Sequence, residues 1–185
     1  MSLELLNSTL FDFIFGFANR SLLLDDTIVF FAEYLPYLML GGVGFMILYR
    51  KKPRMRLLLV IEATLALILS YGIVTASLRF FYHHPRPFME RGFEPLIAGT
   101  LTNSFPSGHA AVLFALLPLV FSLDRRFGFA YLVPALLSGF ARIVVGVHWP
   151  FDIVGGAVLG VLGGLLVRQL LSPLVRGVKH EEPLP

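Results

Sequence analysis

The chain alternates between long apolar stretches and short polar breaks. Residues 27–49 (TIVFFAEYLPYLMLGGVGFMILY) and 57–81 (LLLVIEATLALILSYGIVTASLRFF) form two such stretches, and 107–123, 127–147 and 152–172 supply three more. Each approaches the ~20 residues that a helix needs to cross ~30 Å of hydrocarbon. Residues 3–24 are also apolar, but Asp12, Asn19 and Arg20 interrupt them. This predicts, within residues 1–26, a helix that lies in the interface or dips into it, with a sixth crossing as the alternative. The pattern therefore predicts an all-α integral membrane protein, a bundle of five to six transmembrane helices. The connections are too short to hide a second domain, so residues 1–185 are read as one, ending in a flexible cytoplasmic tail over 174–185.

Composition agrees with this picture. The chain is 56% hydrophobic and 15% charged, where a soluble domain carries roughly a quarter charged residues. Eighteen phenylalanines suit surfaces facing lipid. The absence of cysteine excludes a disulfide framework and a thiolate metal site. No basic segment followed by a short apolar core and a small-residue cleavage site opens the chain, so no removable signal is expected. The net charge of +3 is read as membrane topology, and no nucleic acid is expected as a partner. Arg50, Lys51, Lys52, Arg54 and Arg56 share one loop, Arg125 and Arg126 another, and Arg168, Arg176 and Lys179 lie near the C-terminal end. By the positive-inside rule these ends are cytoplasmic. Alternation of spans then puts the 82–106 loop and the 148–151 turn outside. Gly155, Gly156, Gly160, Gly163 and Gly164 crowd the last span. Such small residues allow close helix approach, either inside one molecule or at a homodimer seam.

Three polar islands fall at the predicted outer ends of spans: Arg79 with Arg86-Pro87, then Pro106-Ser107-Gly108-His109, then Arg142 with His148 and Asp152. Snorkelling explains a lone arginine near a span end. It explains these three poorly, because they face the leaflet that lacks the positive bias. An anion held among them explains them better, since guanidinium forks match phosphate oxygens. The segment Pro106–His109 opens a helix, whose first N–H groups and positive dipole end favour an anion. Gly108 allows an oxyanion close to the main chain, and Ser107 offers a hydroxyl. Pro150 disfavours helix at Trp149, which puts His148 in a turn and Asp152 in the next first turn. At that spacing the carboxylate reaches one imidazole nitrogen and leaves the other free to attack. Trp149 is expected to anchor at the interface. No Asp/His cluster has metal-ligand spacing, and neither a metal nor another cofactor is expected.

The pattern R-x6-RP, PSGH and R-x5-H-x3-D resembles the signature of the type 2 phosphatidic acid phosphatase superfamily, which includes lipid phosphatases, bacterial acid phosphatases and vanadium haloperoxidases. The motifs span residues 79–152. Two positions depart from the family pattern: Arg79 stands where Lys is usual, and Ala141 where Ser usually precedes the third-motif arginine. The resemblance implies that His148 is the nucleophile and forms a phosphohistidine. It implies that Asp152 orients His148, and that His109 protonates the leaving oxygen and then activates water. Arg79, Arg86, Ser107, Gly108 and Arg142 would hold the phosphate oxygens. Such a phosphoryl transfer needs chiefly positioning and charge stabilisation.

The short length and the early FFAEYLPYL segment are similar to bacterial undecaprenyl-pyrophosphate phosphatases of the bacitracin-resistance type. That likeness implies a polyprenyl phosphate substrate among membrane lipids. Alternatives are a phosphatase of phosphatidylglycerophosphate, phosphatidic acid or another lipid phosphate, a lipid phosphotransferase, or a transporter or scaffold on the same fold. Four further residues stay open. His83 and His84 either touch the leaving group or sit in the loop. Glu33 is placed toward the site, and Glu62 toward the basic loop.

Overall fold

The computed structural model describes residues 2–98 and 103–180. Helix α1 (Leu3–Phe15) is capped by the Ser2 hydroxyl, which accepts from Leu5 N–H. Its 13 residues extend about 20 Å, too short for the hydrocarbon core. Helix α2 (Leu22–Leu48) begins at the Ser21 cap, with Asp25 in its first turn. Negative charge is favourable there, which is why the helix starts earlier than its apolar run and takes residues 22–26 out of the expected N-terminal segment. Within α2, Phe30–Tyr34 form a widened turn in which Leu35 N–H reaches back to Phe30 O. Pro36 follows and has no N–H to continue the normal ladder.

Helix α3 (Pro53–Phe81) opens on Pro53 and contains a second widened turn over Ile68–Thr75. There the Thr75 hydroxyl donates to Ser70 O at 2.8 Å, so a carbonyl displaced from the ladder keeps a partner. A short helix α4 (Pro87–Arg91) ends at Gly92, whose φ of 69° is the left-handed conformation that glycine favours. Helix α5 (Gly108–Leu123) is capped by Ser107, and Asp124 caps α6 (Arg125–Val144) by accepting from Arg126 and Phe127 N–H. Helix α7 (Pro150–His180) completes the bundle. It runs through residues 174–180 of the expected flexible tail. Pro173 does not stop it, and the flanking Leu170, Leu171, Leu174 and Val175 are good helix or membrane residues. Residues 181–185 lie outside the described residues.

The described residues are otherwise turns and loops, with no strand among them. Four helices (α2, α3, α6 and α7) are long and apolar enough to cross a membrane, and the shorter α5 is apolar too. Leu38, Phe45, Ile73, Val133 and Leu162 project outward and are mostly exposed, a surface suited to lipid rather than water. The chain is an integral membrane protein.

Helix α5 is buried on nearly every side, which is the position its uniformly apolar sequence requires. Leu113, Leu116, Leu117 and Val120 pack with Met39, Val43 and Ile47 of α2, Leu59 of α3, and Tyr131 and Ala135 of α6. The most extensive interface of α5 is with α7. A Cβ added at Gly156 would stand 2.5 Å from Ser107 O, and one at Gly160 2.5 Å from Ala111 O. Gly164 abuts Ala115 in the same way, while Gly155 faces Phe105 and Gly163 faces Ser70. The glycine stripe thus serves helix contacts within the molecule. Gly160→Val is expected to destabilise the fold by about 1–3 kcal/mol or more, because backbone rather than a flexible side chain meets the new atoms. A thermal scan in detergent checks this: a melting temperature equal to wild type would contradict it.

The two ends of the bundle differ. Arg50 Nη2 donates to Leu123 O, which joins the α2–α3 turn to the α5–α6 turn at the basic end. Glu62 is buried there and pairs with Arg168 of the facing helix α7 at 2.9 Å. At the opposite end, Leu96 N–H donates to Val145 O and Trp149 Nε1 donates to Pro85 O, which joins the α3–α5 loop to the α6–α7 turn. Helix α1 lies against this second end. Phe11 packs on Phe15, Phe93 and Trp149, and Arg91 pairs with Asp12 while lying over the Phe11 and Trp149 rings. Asn7 Oδ1 accepts from Phe151 N–H at the start of α7.

Candidate active site

All three polar islands meet at the α1 end, around a cavity of about 380 Å³. Its wall contains Arg79, Arg86, Gly108, His109, Arg142 and His148. Arg79 sits in the last turn of α3, and its Nε and Nη2 both donate to Pro106 O, at 3.1 and 2.9 Å. Asn103 donates from Nδ2 to Arg79 O. Arg86, directly before α4, donates from Nη1 to Val147 O at 2.9 Å. Arg142 closes α6; it is 9% exposed and its Nε has no hydrogen-bond partner among the described residues. A buried guanidinium nitrogen without an acceptor is costly. An anion in the cavity is the natural acceptor.

His148 lies in the turn before α7 and is 1% exposed. Its Nδ1 is 3.3 Å from Asp152 Oδ2, which also accepts from Trp149 N–H at 2.8 Å. Its Nε2 is 3.4 Å from Arg86 Nη1. His148 Nδ1–H donates to the carboxylate, and the guanidinium, which can only donate, faces the Nε2 lone pair. The imidazole is thus set with its unprotonated Nε2 toward the arginines. Burial, and then the Arg142, Arg86 and Arg79 charges, push the His148 pKa well below the ordinary imidazole value, so the ring stands neutral. Burial, and then Arg79 beside it, lower Arg86 to about 10. Cations this crowded favour a multivalent anion among them.

The sequence-derived residues divide into two layers. Arg79, Arg86, Arg142, Gly108, His109 and His148 face the cavity. Asp152 stands behind His148. Ser107 is fully buried and its hydroxyl caps α5 by accepting from Ala110 N–H; it is not part of the wall. Its backbone N–H donates to Asp152 O at 3.0 Å, which ties the start of α5 to the start of α7. Gly108 is required by space: a Cβ there would stand 2.7 Å from Tyr71 Cε2. Glu33 lies in the widened turn of α2, within electrostatic reach of Arg142. Trp149 is 4% exposed and packed under α1. It is a buried fastener of the turn before α7, not an interfacial anchor, because α1 covers it.

Tyr37 and Tyr71 also line the cavity, with Pro36, Leu40 and Val112, and were missed in the sequence. Tyr71 stands eight positions before Arg79, which in a regular helix turns them about 80° apart. The widened turn of α3 reduces that twist, and nothing in the residue types announces it.

Residues 39–176 match the PAP2 superfamily. The chain belongs to this superfamily, and it is a phosphatase. A protein of Bacillus licheniformis named bacitracin transport permease protein BcrC is 33% identical over 170 residues, covering 90% of this chain and 81% of that one. The undecaprenyl-diphosphatase BcrC of Bacillus subtilis is 29% identical, covering 92% and 88%. The crystal structure of Aquifex aeolicus LpxE superposes with a TM-score of 0.73 at 30% identity, covering 89% of this chain and 95% of that one. A transmembrane PAP2-type phosphatidylglycerolphosphate phosphatase from Bacillus subtilis shares the fold at a TM-score of 0.67 and 21% identity, covering 92% and 87%.

Proposed function

We propose that this PAP2 phosphatase hydrolyses the terminal phosphate of undecaprenyl pyrophosphate at the outer face of the cytoplasmic membrane, through a phosphohistidine on His148. One observation carries the reading. A buried, neutral imidazole, fixed at Nδ1 by a carboxylate, presents Nε2 to a cavity walled by guanidiniums, one of which has an Nε without an acceptor among the described residues. In the first step Nε2 of His148 forms a bond to the terminal phosphorus, while the bond from phosphorus to the bridging oxygen breaks. His109 gives its proton to that oxygen, and undecaprenyl phosphate departs. His109 then takes a proton from water, the resulting hydroxide attacks phosphorus, the P–N bond breaks, and inorganic phosphate leaves. Arg79, Arg86, Arg142 and the first N–H groups of α5 stabilise the charge on the three equatorial oxygens.

The lipid class is supported by the cavity's other wall, where Pro36, Tyr37, Leu40 and Val112 are apolar or amphipathic. The polyprenyl pyrophosphate within that class is supported by the undecaprenyl-diphosphatases among the relatives. The outer location is supported by the basic residues gathered at the opposite end of the bundle.

The test is phosphate release by purified protein in detergent from undecaprenyl pyrophosphate, phosphatidylglycerophosphate, phosphatidic acid and lipid A. The highest kcat/KM is expected for undecaprenyl pyrophosphate; a higher value for another lipid would replace the substrate, and phosphate appearing on an added alcohol would make the protein a phosphotransferase. Detergent abolishes compartments, so release there also separates hydrolysis from transport alone. Orientation is tested with Glu94→Cys in a chain that has no other cysteine. A membrane-impermeant maleimide should label it in intact cells, and labelling only after permeabilisation would reverse the topology.

Arg142 offers a separate check. Arg142→Met keeps a long apolar stem but removes the unpaired Nε donor. Loss of a charge-assisted hydrogen bond of about 1.5–3 kcal/mol predicts orthovanadate inhibition weakened by about tenfold to a hundredfold. Unchanged inhibition would remove Arg142 from the phosphate site.

A further inference from the structure

Asp152 uses Oδ2 for His148 and Trp149. Its Oδ1 faces the other way, with His84 Nδ1 3.9 Å distant. Ser104 lies between them. Its hydroxyl is 2.8 Å from His84 Nδ1 and hydrogen-bonds the Asp152 carboxylate. Ser104 is fully buried, and its N–H donates to His84 O at 2.8 Å, so the two residues are fixed to each other through main chain as well. The Ser104 hydroxyl has one proton and three acceptors within reach: the carboxylate, His84 O at 3.1 Å and Pro85 O at 3.2 Å. A charged acceptor makes the strongest bond. A proton directed at Asp152 leaves the hydroxyl oxygen to accept from His84 Nδ1–H.

The His84 ring is held for this purpose. Tyr82 stacks on it at 5.8 Å, and the Trp149 ring meets it edge-on at 6.2 Å. His84 is absent from the wall of the phosphate cavity. It lines a second cavity of about 500 Å³ on the far side of Asp152, together with Glu4, Asn7 and Tyr82.

We propose that His84 and Ser104 form one positioning unit that fixes the rotation of Asp152, and through it the aim of His148. The inference rests on the reading of His148 as nucleophile and Asp152 as its orienter. The chain runs from His84 Nδ1–H to Ser104 Oγ, from Ser104 Oγ–H to the carboxylate, and on to His148 Nδ1. Without it the carboxylate keeps only the partners on its Oδ2 side and turns more freely. Phosphate binding does not change, because the arginines stay in place.

Kinetics of His84→Ala, His84→Asn, Ser104→Ala and the double variant test this, with elution and melting profiles to show that each is folded. His84→Ala is expected to lower kcat about tenfold to a hundredfold, as loss of an outer orienting partner does elsewhere, with KM and vanadate inhibition unchanged. His84→Asn, whose amide N–H sits near the Nδ1–H position, is expected to recover most of that loss. The double variant is expected to lose no more than the worse single variant, since both interrupt one chain. The proposal is overturned by kcat of His84→Ala within twofold of wild type, by equal impairment of His84→Ala and His84→Asn, or by losses that multiply. If Ser104→Ala does not fold, the comparison of the two His84 variants decides alone. His148→Ala separates the two levels. Activity surviving in His148→Ala defeats the underlying site, whereas an inactive His148→Ala beside a normal His84→Ala defeats only the positioning unit.

Discussion

His148→Ala is expected to lower phosphate release by about 10⁴-fold or more, with lipid binding nearly unchanged. The imidazole presents its unprotonated nitrogen to the guanidinium-lined wall, at 3.4 Å from Arg86, with its other nitrogen held by Asp152. Its removal leaves the arginines and the start of α5, which still bind an anion but supply no nucleophile. Water attacking directly must displace the lipid phosphate without the covalent step that divides the barrier. Release of inorganic phosphate by the purified variant, with wild-type elution from a sizing column, is the measurement. A loss smaller than tenfold would mean that another group attacks phosphorus.

Asp152→Asn is the second large effect, with an expected fall in kcat of about 10³-fold and little change in KM. Asp152 accepts both Trp149 N–H and His148 Nδ1–H at Oδ2. Both bonds fall on one oxygen, so an amide oxygen in its place keeps them, while the NH₂ group takes the Oδ1 position on the His84 side. The geometry is retained, but the negative charge that offsets the cation developing on the imidazole as Nε2 attacks is lost. A fall below tenfold would reduce Asp152 to an anchor for the first turn of α7. Melting temperature and KM distinguish a charge defect from a loosened turn, since only the latter moves them.

Much of this was legible in the sequence because ionisable groups are rare in an apolar chain. Arg79, Arg86, His109, Arg142 and His148 stand out for that reason, and the structure brings all five to one cavity. The spans were legible from hydropathy, but their ends were set by local chemistry: Ser21 and Asp25 start α2 early, and α7 continues past Pro173 to His180. Ser107 is expected to donate to phosphate; its oxygen accepts from Ala110 N–H as the cap of α5, which leaves its proton available. Trp149 was read as an interfacial anchor, but the short helix α1 covers it. Tyr71 and Ser104 were not legible: neither residue type is unusual, and their placement depends on a widened helical turn and a loop crossing.

The glycine stripe shows the same limit. Small residues announce a close approach but not the partner. Gly156, Gly160 and Gly164 meet α5 of the same molecule, and Gly163 meets α3 at Ser70.

The central claim is that phosphate passes through His148. Wild-type protein should be mixed with undecaprenyl pyrophosphate labelled in its terminal phosphate, quenched in alkali within a turnover, and digested. Label that is stable in alkali, labile in acid, carried on the peptide containing His148 and absent from His148→Ala is the predicted result. Label on another residue, or none on an enzyme releasing phosphate with its hydrolytic step shown to be rate-limiting, would contradict it.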